Sequence, residues 1–351
     1  MNWITEIARP DIRALQPYQH ASWEPGLVRL HANELPWRAP MDTSESGLNR
    51  YPEPHPHELA ARLATLYGVD AAQVLPCRGS DEAIDLLTRV YCRAGRDAVL
   101  ITPPTFGMYS VAARVQGAQV IEVPLRREAD YGLELPALLD VLTPAVKLVY
   151  ICSPNNPTGN LIDRAALLEL LRVLSGRALL VVDEAYVEFS GAPSLSVELG
   201  RHPGLAVLRT LSKAYGLAGA RCGALLAHAE VISLLQRVIQ PYALTQLTIE
   251  AVFRTLLPEN LSTARERVAA IVRERRRLAA ALAAHRAVLR VWPSDANFLL
   301  VEFQDAAAAL RRAHAAGLLL RDLRAAPGLS CALRISIGSP EQNDRLLASL
   351  A

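Results

Sequence analysis

From about residue 60 to residue 230, short apolar runs alternate with amphipathic stretches. The runs "DAVLI", "AQVIEV", "VKLVYI", "ALLVVD", "LAVLR" and "GALLA" are β-branched or leucine-rich and stop at turn residues. That pattern predicts buried strands. Between them "SDEAIDLLTRVYCRAG" and "DRAALLELLRVLSG" read as helices. The second opens on Asp and closes on Gly, the residues that cap helix ends. Strand and helix in alternation predict an α/β domain on a mainly parallel sheet. After Pro241 the texture changes. Leu261, Ala264, Val268, Ile271, Val272, Leu278 and Leu282 recur at spacings near three and four, which predicts one long helix. Its arginines, Arg273, Arg275, Arg276 and Arg277, are expected on a solvated face. "NFLLVEF" and "ALRISIG", with a short helix between them, point to a small α+β lobe. Residues 1 to about 45 carry few periodic signals and read as an extended arm.

Composition narrows the class. A chain of 351 residues, 51% hydrophobic and 21% charged, is a folded protein with room for one large and one smaller domain. A formal net charge of +2 argues against a nucleic-acid binder driven by a basic field. No uninterrupted apolar run reaches membrane-spanning length, and the N-terminus lacks the apolar core of a signal peptide. The five cysteines have no CxxC spacing, which fits a reducing compartment, so a cytoplasmic protein is expected. GxGxxG, GxxxxGK[ST], HExxH and GxSxG are all absent, and the histidines do not cluster at ligand spacing. No metal is expected.

The chemistry sits mostly at predicted strand ends. "CRGSDEAIDLL" places Gly79, Ser80 and Asp81 where a helix begins, which suits a phosphate, although simple N-capping explains the same residues. "SPNNPTGN" makes a rigid turn presenting Asn155 and Asn156. Asp183 and Glu184 end a buried strand and need partners, either a structural ion pair or a cationic ligand. Lys213 follows the apolar run "LAVLR", with Ser212 before it and Arg221 after; it reads as an ion-pair lysine or as a Schiff-base lysine.

In this order the set resembles the fold-type I pyridoxal-phosphate (PLP) aminotransferases. "LQPYQ", "HANELP", "NRYPEP", "RGSDEAIDLL", "PPTFGMYSVAA", "SPNNPTGN", "VVDEAYVEF", "RTLSKAYGLAGARCG", "DANFLLV", "LRDL" and "LRISIG" resemble the histidinol-phosphate aminotransferases more closely, from about Tyr18 to Gly338. The resemblance implies that Lys213 attaches the cofactor and shuttles the proton. Asp183 pairs with its ring nitrogen, and Tyr186 and Asn156 meet its ring oxygen. Phe106 lies on the ring face, where many relatives have tyrosine. Ser80, Asp81, Ser212, Arg221 and Thr210 hold the phosphate, with Tyr51 reaching it from a neighbouring subunit. Tyr18, Asn33, Arg321 and Arg334 face the substrate. The implied fold is a large domain (46–250) with a mainly parallel sheet and a small α+β C-terminal domain (251–351). An N-terminal arm (1–45) packs with the small domain. The implied activity is transfer of an amino group between histidinol phosphate and 2-oxoglutarate in histidine biosynthesis, by a homodimer that binds neither nucleic acid nor membrane. Alternatives are an aromatic amino acid aminotransferase, a PLP decarboxylase of phosphorylated amino acids, and a non-enzymatic regulatory module of the same fold.

Overall fold

The computed structural model describes residues 2–20, Glu24 and residues 26–350. Seven strands form the larger sheet: β1 (Val74–Cys77), β2 (Ala98–Ile101), β3 (Gln119–Glu122), β4 (Val146–Cys152), β5 (Leu179–Asp183), β6 (Leu205–Thr210) and β7 (Gly223–Ala227). Their order is β1-β7-β6-β5-β4-β2-β3. β2 to β6 run parallel, and only β7 is antiparallel to its neighbours β1 and β6.

The continuous apolar runs follow from burial on both faces. Val149, Ile151, Leu180, Val182 and Val207 enter one core with the helices His57–Tyr67, Arg164–Leu174 and Gln246–Thr255. Alternate residues Leu148, Tyr150, Leu179, Val181 and Leu208 enter the other with Ser80–Tyr91, Met108–Gln116 and Ala229–Gln236. β3 departs from expectation. It is half-exposed because it is the sheet's edge, with β2 as its one neighbour.

The second sheet is antiparallel: β8 (Val288–Val291), β9 (Phe298–Phe303), β10 (Arg321–Asp322) and β11 (Ala332–Ser336), in the order β10-β11-β9-β8. Its core gathers Leu299, Val301, Leu333 and Ile335 with Leu278 and Leu282 of the long helix Pro258–Ala283. The middle of that helix packs Val268, Ile271 and Val272 against Tyr186, Phe189 and Phe298.

Three expectations change. Arg275 is not on a solvated face. It is 8% exposed and donates to the carbonyls of Phe189 (3.2 Å) and Ala296 (2.7 Å), satisfying buried acceptors that charge patterning does not reveal. The start of the arm forms two short helices, Trp3–Glu6 and Pro10–Ala14, and packs on the large lobe instead of the small one. Ile4 is buried in the large lobe's core, and Arg237 donates to the Arg13 carbonyl at 2.5 Å. The expected boundary at residue 250 falls inside Gln246–Thr255, whose Ile249 and Val252 belong to that same lobe.

Candidate active site

A cavity of about 730 Å³ opens at the carboxyl ends of β2, β4, β5 and β6, where open α/β sheets place their ligands. The small lobe closes it with Arg321, Leu323, Leu329 and Arg334. Of the residues expected from the sequence, Ser80, Asp81, Phe106, Asn156, Asp183, Tyr186, Thr210, Ser212, Lys213, Arg221, Arg321 and Arg334 all line it. Tyr18, Asn33 and Tyr51 do not. Tyr51 is 51% exposed and stacks on Tyr242 at 4.6 Å. Tyr18 is 72% exposed in a shallow groove with His20 and His55. Asn33 sits in a loop at φ 55°, the left-handed region that Asn tolerates.

The strand-end acids, ambiguous in sequence, separate here. Glu184 points into an ion-pair network: Arg209 lies 3.6 Å away, and the Ser194 hydroxyl and Leu195 N–H donate at 2.5 and 2.6 Å. Asp183, one residue earlier and therefore on the opposite face, forms no salt bridge among the described residues. It is 3% exposed and accepts from the Tyr109 hydroxyl (2.8 Å) and the Ala185 N–H (3.1 Å). Burial lifts its carboxyl to about 6. A buried acid so placed calls for a cation from outside the chain.

The cradle for an anion lies across the cavity. Gly79, at φ 81°, precedes the helix Ser80–Tyr91, and no side chain caps that helix. The N-cap reading of Ser80 and Asp81 is therefore not realised, and the helix's first N–H groups are left for a ligand. A Cβ on Gly79 would come within 2.8 Å of Arg221 Nη2. Glycine is thus required by conformation, and a larger residue would also push the Arg221 guanidinium aside. Arg221 donates to Ser212 Oγ at 3.2 Å and pairs with Asp81 at 3.4 Å, while Thr210 donates to Ser212 at 3.0 Å.

Lys213 lies between acid and cradle, its Nζ 5.8 Å from the centre of the Tyr186 ring. The side chain is open to the cavity, yet surrounding protein desolvates it. That desolvation, reinforced by the guanidiniums of Arg334 and Arg221, pulls its ammonium below the usual lysine range. Arg334 on β11 donates to Asn156 Oδ1, and Asn156 Nδ2 donates to the Tyr186 hydroxyl at 3.4 Å. One buried acid wanting a cation, a softened lysine and an anion cradle together fit a flat, cationic, phosphorylated ring carrying a carbonyl. Sequence reasoning missed Tyr109. Its signal was present in "PPTFGMYSVAA", three residues after Phe106, but only the fold turns it onto Asp183.

A family model for aminotransferase class I and II matches residues 30–350. The chain is 49% identical to a histidinol-phosphate aminotransferase of Stenotrophomonas maltophilia, an alignment covering 99% of this chain and 96% of the relative. The chain belongs to the class I and II aminotransferases. Among solved members of this fold, the histidinol-phosphate aminotransferase of Sinorhizobium meliloti, in complex with pyridoxal-5'-phosphate, superposes with a TM-score of 0.77. It is 26% identical and covers 86% of this chain and 82% of its own. The L-threonine-O-3-phosphate decarboxylase of Porphyromonas gingivalis gives 0.72 at 25% identity, covering 86% and 90%. The aminotransferase frame is thus shared with a decarboxylase, and reaction type within it depends on the site.

Proposed function

We infer that this aminotransferase carries pyridoxal 5′-phosphate and moves the amino group of L-histidinol phosphate to 2-oxoglutarate, giving imidazole-acetol phosphate and L-glutamate. The observation that carries the reading is Asp183. It is a buried carboxylate without a cation, facing the same cavity as Lys213 and the anion cradle. Near-full-length identity to a histidinol-phosphate aminotransferase supports the substrate. When bound, the cofactor supplies an electron-withdrawing ring conjugated to the amino carbon.

The chain's own groups do the rest. Asp183 holds the cation of the ring nitrogen. Tyr186 and Asn156 would donate to the ring oxygen, and Phe106 would offer its face to the ring. Ser80, Ser212 and Arg221 hold the phosphate, Asp81 adds its backbone N–H while its carboxylate orients Arg221, and Thr210 supports Ser212. Lys213 would hold the cofactor and would take and return the proton at the substrate's Cα. Its lowered proton affinity eases that exchange. Arg334 is a planar fork able to grip the substrate phosphate in one half-reaction and a carboxylate in the other, and Arg321 adds a second contact.

The exposed large apolar residues Leu27, Val28, Leu30, Leu35, Trp37 and Met41 crowd into one short stretch after the arm's helices. Such exposed apolar residues support a homodimer in which Tyr51 reaches a neighbour's phosphate cradle while Tyr18 and Asn33 face the substrate, and the setting proposed for it is the cytoplasm. Among the described residues no helix is long and apolar enough to cross a membrane.

The test is single-turnover conversion of the bound cofactor to its amino form, followed by absorbance. Histidinol phosphate should convert it much faster than phenylalanine, tyrosine or glutamate. Equal rates with phenylalanine would move the reading to an aromatic aminotransferase, and CO2 release from a phosphorylated amino acid would move it to a decarboxylase.

A further inference from the structure

We propose that Tyr109 is a positioning residue that sets the Asp183 carboxylate and the Phe106 ring as one unit, so that acid and stacking face meet the cofactor ring in a preset geometry. The proposal rests on the cofactor reading above. Tyr109 is fully buried, and its hydroxyl donates to Asp183 Oδ2 at 2.8 Å. Its ring meets Phe106 edge-on, with centroids 5.6 Å apart and planes at 82°. Its other side stacks on Tyr150 at 4.8 Å and 8°. Tyr150 is anchored in turn: its hydroxyl donates to the Ile84 carbonyl at 3.2 Å and lies 3.4 Å from the Thr88 hydroxyl. Ile84 and Thr88 belong to the helix whose first turn forms the anion cradle. One run of contacts therefore links cradle, acid and stacking ring. Neither Tyr109 nor Tyr150 lines the cavity, so both act through Asp183 and Phe106, which do.

The chemistry agrees with the geometry. A phenol held in a dry site keeps its proton, and burial beside Asp183 pushes Tyr109 well above the ordinary phenol range. It can therefore only donate to the carboxylate, which favours the ionised acid. The other titratable groups whose charge acts on Asp183 are the Cys152 thiol, Asp81, Glu184 through the strand, Tyr186 and Lys213. Asp81 and Glu184 favour the protonated acid, so the Tyr109 hydrogen bond works against them.

The test uses Tyr109→Phe, which keeps both ring contacts and deletes only the donor. In the full-length cofactor-free protein, the Asp183 carboxyl is titrated by infrared difference, with Asp183→Asn identifying the band. Wild type should titrate near 6, and the variant about one to two pH units higher, the loss expected for a hydrogen bond to an ionised group. With ¹⁵N-labelled pyridoxal phosphate bound, the ring-nitrogen resonance of the variant should move toward the unprotonated position, a change that lost packing alone does not produce. Should Tyr109→Phe fail to fold, 3-fluorotyrosine at position 109 keeps the shape and strengthens the donor, and the carboxyl midpoint should then fall. An unmoved midpoint with either probe overturns the proposal, as does an unmoved nitrogen resonance in a variant that binds the cofactor. Wild type that takes up no pyridoxal phosphate would instead sink the cofactor reading.

Discussion

Asp183→Asn should make the cofactor-free protein more stable at pH 8 while disabling the enzyme. Asp183 is buried without a cation, and its carboxyl titrates near 6 against about 4 in an unfolded chain. A carboxylate whose folded value is raised costs stability above that value. The penalty is fully present above about pH 6 and fades as pH falls toward 4. Two pH units correspond to about 3 kcal/mol at pH 8 and about half of that at pH 5. Asparagine removes the penalty but offers one oxygen where Asp183 uses two, for the Tyr109 hydroxyl and the Ala185 N–H. One mismatched donor costs about 1 kcal/mol. The net gain is then about 2 kcal/mol at pH 8 and about 0.5 kcal/mol at pH 5. Urea unfolding of the cofactor-free proteins at both pH values, at one protein concentration, reads this directly. In the loaded enzyme the same change removes the partner of the ring-nitrogen cation, and kcat should fall about a hundredfold or more. A variant less stable than wild type at pH 8 would show that Asp183 is not an uncompensated buried charge, and the argument for an external cation would fail.

Lys213→Ala should abolish turnover with the fold intact. Borohydride should lock the wild-type cofactor onto Lys213, and since Lys147 is the only other lysine, peptide mapping decides the matter. Gly79→Ala should weaken cofactor binding by about tenfold or more in equilibrium dialysis, because the new methyl sits 2.8 Å from Arg221 Nη2 at a φ of 81°; unchanged affinity would remove Gly79 from the cradle. Arg334→Lys should slow both half-reactions, and Arg321→Ala should slow histidinol phosphate more than phenylalanine in single turnovers. Equal effects on the two donors would take Arg321 off the phosphate. Mixing inactive Tyr51 and Lys213 variants should restore partial activity through hybrid dimers, and no recovery after confirmed subunit exchange would mean that each site is built from one chain.

Much of the fold was legible in the sequence, for a local reason. β2 and β4 to β7 are buried on both faces, so their composition alone declares them. β1, "VLPC", escaped because it is four residues long and contains Pro76, and β8, "VLRV", because it packs on one side only. Turn glycines and strand-end charges marked where chemistry lies, and twelve of the expected site residues share one cavity. What the sequence could not settle were choices between neighbours. Asp183 and Glu184 look alike in the chain; the strand's two-residue period sends one to Arg209 and leaves the other facing the cavity. Arg275 looks like its solvated neighbours until two carbonyls from distant segments close on it. Tyr109 gains its role only when its helix is laid beside the end of β5. Burial pattern and turn chemistry are carried by a few adjacent residues, so sequence determines them. A partner 21 or 74 positions away exists only once the chain has closed, and tertiary structure alone decides it.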